Sequence, residues 1–441
     1  MWASLSIAFP LLWAGARLVA PEAVGGFGLT TPEFVLAAVL GAGLGGLLLG
    51  LVGWAGATVA VPTSLLLRPA FGTWGASVLT AIVAAGIGLL AAFELRIAAE
   101  AAAALIVEMG GPDTVILGWA GIGVVVAIMV WAGPVLVART WIRWGAFWAA
   151  LLVTIFLFWQ ITSEAGFAGA ADAGRLWEAM DFIVGVSILW FPIVPEIARF
   201  SGAPGSAGTA MGGGFAVPAL LTMFVGAGAM SALGISGSLD PVELVLGLVV
   251  GSVSTAFAIL LLVWLLVAEA DQPFGLLFVA GSSLAGLREG WNQRLVSFIL
   301  FAGAITAGAL LPLYEMDGWV ELLISIFVPA VGVFIADFFV VRDRSYNTDT
   351  LLEGSGAYAG LNYLGIGALA VGFVVYQLLV PSGPDDWVAW VDGIAGGGWA
   401  DRVIIAQPGF VSFLVAFGIY MLFGRWVTKD DAAVTRIAGR F

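Results

Sequence analysis

The chain has 441 residues, of which 61% are hydrophobic and only 10% charged, and its mean hydropathy of +1.07 lies far outside the range of water-soluble domains, which are about half apolar and roughly a quarter charged. The net charge of −13, with Lys429 as the single lysine, argues against nucleic acid or anionic lipid as the main partner. Cysteine and histidine are both absent, which excludes disulfides, thiolate metal sites and imidazole proton relays and leaves any proton chemistry to carboxylates.

A membrane span needs roughly 20 apolar residues, and runs of that kind predict helices over 3–24, 33–55, 76–106, 114–137, 144–163, 176–198, 213–235, 255–287, 295–313, 318–340, 360–380 and 404–425. The first run has no basic stretch before it and no small-residue cleavage site, so it reads as a span and not as a removable signal. The whole forms one integral domain over 1–425, with 426–441 as a short cytoplasmic tail. A thirteen-span reading, in which 242–268 is itself a crossing, is decided by the arginines, which collect in cytoplasmic loops. With twelve spans and the amino terminus inside, Arg68, Arg139, Arg143, Arg199, Arg288, Arg294, Arg342, Arg344, Arg425, Lys429, Arg436 and Arg440 are cytoplasmic and Arg175 and Arg402 lie outside. With thirteen, most of them invert. Residues 240–253 then read as a helix over the outer face.

Charges within a span are costly and mark functional positions by default. Arg17 stands four residues before Pro21 in the first run. A proline clashes with the carbonyl four residues earlier and lacks its own N–H, so the first helix is expected to open over Arg17–Pro21, with carbonyls available to a cation. The simpler reading is a kink, with Arg17 paired to a carboxylate. The sixth run repeats the device in Ser187–Phe200, where Pro192 and Pro195 are expected to free the carbonyls of Ile188 and Phe191 beside Trp190, whose indole offers a flat apolar face to a heteroaromatic ring. On the third span Arg96 and Glu100, four apart, share a face and pair. Glu94 does not share it and is expected to point to the cavity or to Arg17. On the eighth span Glu269, Asp271 and Gln272, with Ser282 and Ser283 nearer the cytoplasm, supply oxygens suited to a proton relay or a hard cation; under the thirteen-span reading Glu269 to Gln272 is instead a polar loop.

Several stretches resemble the nucleobase:cation symporter-1 family, in particular its cytosine and hydroxymethylpyrimidine permease branch. Trp190-Phe191-Pro192 followed by Pro195-Glu196-Ile197-Ala198-Arg199-Phe200 is similar to that branch's W-x-P-x-x-x-D-Y-[ST]-R-[FY] pattern. Trp13-Ala14-Gly15-Ala16 with Glu22 and Gly25-Gly26, Arg68-Pro69-Ala70-Phe71-Gly72, Tyr314-Glu315, Ser325-Ile326-Phe327-Val328-Pro329, Ala336-Asp337-Phe338-Phe339 and Gly360-Leu361-Asn362-Tyr363 resemble further pieces, in order along the chain. The resemblance implies an all-α polytopic membrane protein of LeuT-type fold. Its inverted repeats would be 3–163 and 176–340, with two extra helices over 360–425 and with helices 1 and 6 broken around a central site. It implies that Trp190 stacks the substrate, that Glu94 stands where the third-span amide is expected and that Leu90 replaces the third-span aromatic.

The function expected is symport of a small planar nitrogen heterocycle, such as cytosine, another nucleobase or hydroxymethylpyrimidine, coupled to H+ or Na+. The substrate set is Trp190, Glu94, Leu90, Arg17, Phe191 and Gln272; the ion-coupling set is Glu94, Glu269, Asp271, Ser282 and Ser283. The rivals are an amino-acid or organic-ion carrier of the same fold, or a channel. No catalytic constellation is visible, so no enzyme is expected, and no cofactor beyond the coupling ion. Lipid is the expected environment, no obligate protein partner is evident, and the location is the plasma membrane with both termini cytoplasmic.

Overall fold

The structure, a computed structural model, describes residues 7–164, 175–233, 254–288, 290–311, 317–353, 356–395 and 407–438, together with residue 246. The helix expected over 240–253 and the Tyr314-Glu315 pair lie outside the described residues. Among these residues nine helices are long and apolar enough to cross a membrane, and Phe9–Val19 and Tyr363–Leu379 are shorter apolar helices.

The helices used below are α1 (Phe9–Val19), α2 (Thr31–Val59), α3 (Arg68–Glu108), α4 (Val115–Ala132) and α5 (Phe147–Glu164, entered through a π-helical segment, Ala138–Ala146). The second half contains α6 (Leu176–Ile188), α7 (Ile193–Ala198), α8 (Pro204–Leu233), α9 (Thr255–Glu269), α10 (Asp271–Ala285) and α11 (Gln293–Leu310). Then follow α12 (Asp317–Ile335, running on into π-helical Ala336–Val341), α13 (Tyr363–Leu379) and α14 (Pro408–Ala438). α14 thus continues through most of the stretch expected to be a tail.

Local chemistry sets several helix starts. Thr30 and Glu33 form a reciprocal capping box at α2, with Pro32 in the first turn, where its missing N–H costs nothing. Asn292 accepts from the N–H groups of Arg294 and Leu295 at α11, and Asn362 from that of Gly365 at α13.

The helices pack in three groups. α1, α2, α6 and α8 pack on one another as a bundle, α3, α4, α10 and α11 form a second group, and α12, α13 and α14 a third. Large apolar side chains such as Leu47, Val78, Ile128 and Trp144 are left facing outward, as a lipid-facing surface requires.

Three of the stretches that carry the resemblance converge at one end of the molecule. The Phe71 carbonyl accepts from the Asn362 N–H (3.1 Å), and the Gly360 carbonyl accepts from the Trp74 N–H (2.9 Å). Asn362 donates to the Pro69 carbonyl (3.2 Å) and to the Tyr420 hydroxyl (3.0 Å). The Asp337 carboxylate in turn accepts from Tyr420 (2.8 Å), Tyr346 (2.6 Å) and Arg342 (3.0 Å). Gly72 permits this closeness: its φ is +76°, and a Cβ there would sit 2.5 Å from both the Asn362 nitrogen and the Gly360 oxygen.

Candidate functional site

Between α6 and α7 the backbone makes a tight turn instead of continuing the helix. The N–H groups of Leu189, Trp190 and Phe191 bond carbonyls three residues back, at 3.2, 3.1 and 2.8 Å. The Ile188 carbonyl, expected to be freed by Pro192, is therefore taken by Phe191. The turn places the Trp190 indole against Phe215 of α8, with ring centroids 5.6 Å apart.

A small cavity of ≈ 20 Å³ lies beside this turn, lined by Leu189, Trp190 and Ile193 at the break, Leu90 and Glu94 on α3, Gln272, Gly275 and Leu276 on α10, and Pro10 on α1. The spacings explain the set: residues i and i+4 of α3, and i, i+3 and i+4 of α10, project from one helical face. Gln272 also donates to the Ile7 carbonyl (3.2 Å), fixing the entry to α1. Glu94 is buried, hydrogen-bonds the side chain of Glu269, and its Oε2 has no hydrogen-bond partner.

Two polar clusters flank the cavity. At the α1 C-terminal end, Arg17 Nη2 meets Glu321 Oε1 of α12 at 2.9 Å. The guanidinium lies 4.8, 5.2 and 5.7 Å from the ring centroids of Phe182, Trp13 and Phe27. Arg175, at the start of α6, donates to the Gly26 carbonyl at this same end (3.3 Å). At the α7 end, Glu196, with no exposed side-chain surface, accepts from the Thr63 N–H (2.7 Å) and from Ser282 (3.1 Å) and Ser283 (3.5 Å), and pairs with Arg199 (3.1 Å). Arg199 Nη2 also donates to Ser282 Oγ (3.1 Å).

No family model and no curated protein sequence matches the chain. A structure of Mhp1, a nucleobase-cation-symport-1 family transporter, in a closed conformation with bromovinylhydantoin bound, matches with a TM-score of 0.77 at 17% identity, over 97% of this chain and 91% of that one. The inward-facing conformation of Mhp1 matches with a TM-score of 0.75 at 18% identity, over 97% and 90%. The chain has the Mhp1 fold. The LeuT-type architecture implied by the sequence is therefore present, and the cavity beside Trp190 sits where α1, α3, α7 and α10 of that fold meet.

Within this fold, Leu90, Glu94, Trp190 and Gln272 of the expected substrate set line one cavity. Arg17 and Phe191 do not. Arg17 is committed to Glu321, and Phe191, 1% exposed, packs on Phe334 with centroids 5.9 Å apart. Glu94 consequently faces the cavity and Glu269, not Arg17.

The expected opening over Arg17–Pro21 is also corrected. α1 is continuous to Val19, and Pro21 lies beyond its end. The carbonyls of Arg17, Leu18 and Ala20 accept from the N–H groups of Phe27, Leu29 and Gly28, at 2.9, 3.0 and 2.9 Å. Pro21 likewise accepts from Gly26 (3.1 Å). These carbonyls thus carry hydrogen bonds from the chain itself, and Ser282 and Ser283 face Glu196 and Arg199 instead. Glu269, Asp271 and Gln272 are buried within one apolar helical run, Thr255–Ala285, interrupted only at Ala270, and are not an exposed loop.

Among the described residues no group of three or more acidic side chains is arranged to hold a metal ion. Pro10, Leu189, Ile193, Gly275 and Leu276 are walls that nothing in their residue types marks, although the three-and-four spacing from Gln272 points to the last two.

Proposed function

We propose that the chain is a secondary transporter of the nucleobase-cation-symport-1 family that moves a small planar nitrogen heterocycle across the membrane by alternating access. The observation that carries this reading is the pairing, in one cavity, of the Trp190 ring with the unpartnered Glu94 Oε2. A flat aromatic face suits a flat ring, and a buried acceptor without a partner suits a ring N–H, because leaving it unpaired is costly. Gln272, carrying both donor and acceptor, supports the same edge-on recognition. Cytosine, another nucleobase, a hydroxymethylpyrimidine or a hydantoin all present such an edge.

The cavity wall contains a carboxyl group but no arginine or lysine. An amino acid entering it would bring a carboxylate with no cationic partner, which weighs against an amino-acid carrier. Arginine placement supports the Arg199 end as the cytoplasmic one, with the Arg17–Glu321 end outside. Transport is coupled to a cation, either a proton held by the buried carboxyls or sodium. Thermal-shift binding with a panel of bases, hydantoins and amino acids tests the reading: stabilisation by heterocycles and not by amino acids supports it, and the reverse pattern overturns it.

A further inference from the structure

Glu94 and Glu269 meet in the wall between two cavities. Glu94 faces the cavity beside Trp190; Glu269 lines a second one of ≈ 50 Å³, bounded by Ile7 and Leu12, by Thr154 of α5, by Thr222 of α8 and by Leu265. The two side chains hydrogen-bond each other, and the outer oxygens, Glu94 Oε2 and Glu269 Oε1, have no hydrogen-bond partner. The residues are 2% and 4% exposed.

We infer that Glu94 and Glu269 form one proton-binding site, loaded from the second cavity and sensed by substrate in the first. This deepens the transport reading above and rests on it for the substrate side alone.

The chemistry follows from the contact. A carboxyl–carboxyl hydrogen bond needs a proton between the two inner oxygens, and two like charges this close in a medium of low dielectric are not both retained. The pair with one proton is a shared monoanion. A second proton, taken up at Glu269 Oε1, makes it neutral, and Glu94 Oε2 then meets the substrate as the oxygen of a carboxylic acid and not of a carboxylate. The charge felt in one cavity is thereby set from the other, with one proton bound and released per cycle.

The second cavity is equipped for this. Thr154 and Thr222 line it with Glu269, and the Thr222 hydroxyl, which donates to the Pro218 carbonyl (2.9 Å), keeps its acceptor capacity for a water, which requires two or more polar partners. Among the described residues the titratable groups acting on Glu269 are Glu94 from α3 and Asp271 on its own side. The parts of α1, α5 and α8 that line this cavity present only apolar and hydroxyl side chains. The arrangement also explains why the hydroxyls at Ser282 and Ser283 are free to serve the Glu196–Arg199 cluster: a guanidinium hydrogen-bonded to Ser282 repels a sodium ion there.

The decisive test needs no substrate. Infrared difference spectra of the purified protein, titrated through neutral pH, should contain the C=O stretch of a protonated carboxylic acid, absent or displaced in both Glu94→Gln and Glu269→Gln and kept, at a shifted pH, in Glu269→Asp. A monodisperse Glu269→Gln protein with an unchanged band, or a wild type with no such band at neutral pH, overturns the proposal. In liposomes, cytosine uptake driven by a pH gradient should be lost in Glu269→Gln. If cytosine and the other bases fail to bind while the infrared band behaves as stated, the substrate reading fails and the proton site stands.

Discussion

Arg17 and Glu321 join α1 to α12 across 2.9 Å, on the side of the cavity opposite the Glu196–Arg199 cluster. On the transport reading proposed above, each of these two contacts is a closure between the cavity and one face of the membrane. They differ in build. Arg17 is 17% exposed and caged by three aromatic rings, whereas Glu196 is wholly buried and satisfied by four groups from three parts of the chain.

Weakening the first closure should expose the cavity. The natural chain has no cysteine, so Leu276→Cys introduces a single thiol at the cavity wall. Glu321→Gln should raise its labelling rate by a small-molecule maleimide up to about five-fold, matching the roughly 1 kcal/mol of a partly exposed ion pair. Arg17→Ala should raise it further, since three cation–π contacts are lost as well. Unchanged labelling in both would show that the pair does not close the cavity.

Breaking the second cluster should cost stability. Glu196→Ala leaves Arg199 and the Thr63 N–H without their buried partner, a loss of about 3–5 kcal/mol by analogy with truncated buried pairs. Glu196→Gln, which keeps an acceptor oxygen, should lose distinctly less. Thermal unfolding in detergent, measured side by side, checks the order of the three proteins.

Gly72→Ala should impair folding at a site far from the cavity. The positive φ and the 2.5 Å approaches to Asn362 and Gly360 combine backbone strain of about 1–3 kcal/mol with a clash against main chain that has no room to give. Reduced yield of monodisperse protein is the expected result; a normal yield with normal melting would remove this junction from the account.

How far the sequence speaks depends on the distance between partners. Trp190, Glu94 and Gln272 were legible because each is an anomaly inside an apolar run, and because local spacing fixes which way a helical residue projects. The expected opening at Arg17 fails for a physical reason, while the simpler alternative, Arg17 paired to a carboxylate, is met by Glu321. Proline distorts a helix only when the helix continues through it, and a proline just past the last turn merely ends it; at Pro21 the chain turns back, and the segment 26–29 supplies the N–H groups that the carbonyls need. The Glu196–Ser282 and Arg17–Glu321 contacts join residues far apart in the chain, and no periodicity encodes such meetings. The resemblance carried the fold, since the motifs around Phe71, Asp337 and Asn362 are the parts of one junction.

On the reading proposed above, the cavity beside Trp190 holds a planar heterocycle by stacking. Titration calorimetry of purified wild type and Trp190→Ala with cytosine, uracil, a hydroxymethylpyrimidine and a hydantoin tests it most directly. Saturable binding of at least one of them is expected, weakened about 10- to 100-fold in Trp190→Ala, since roughly 1–3 kcal/mol of base stacking is removed. Binding of none of the four, or equal affinity in the two proteins, would contradict it.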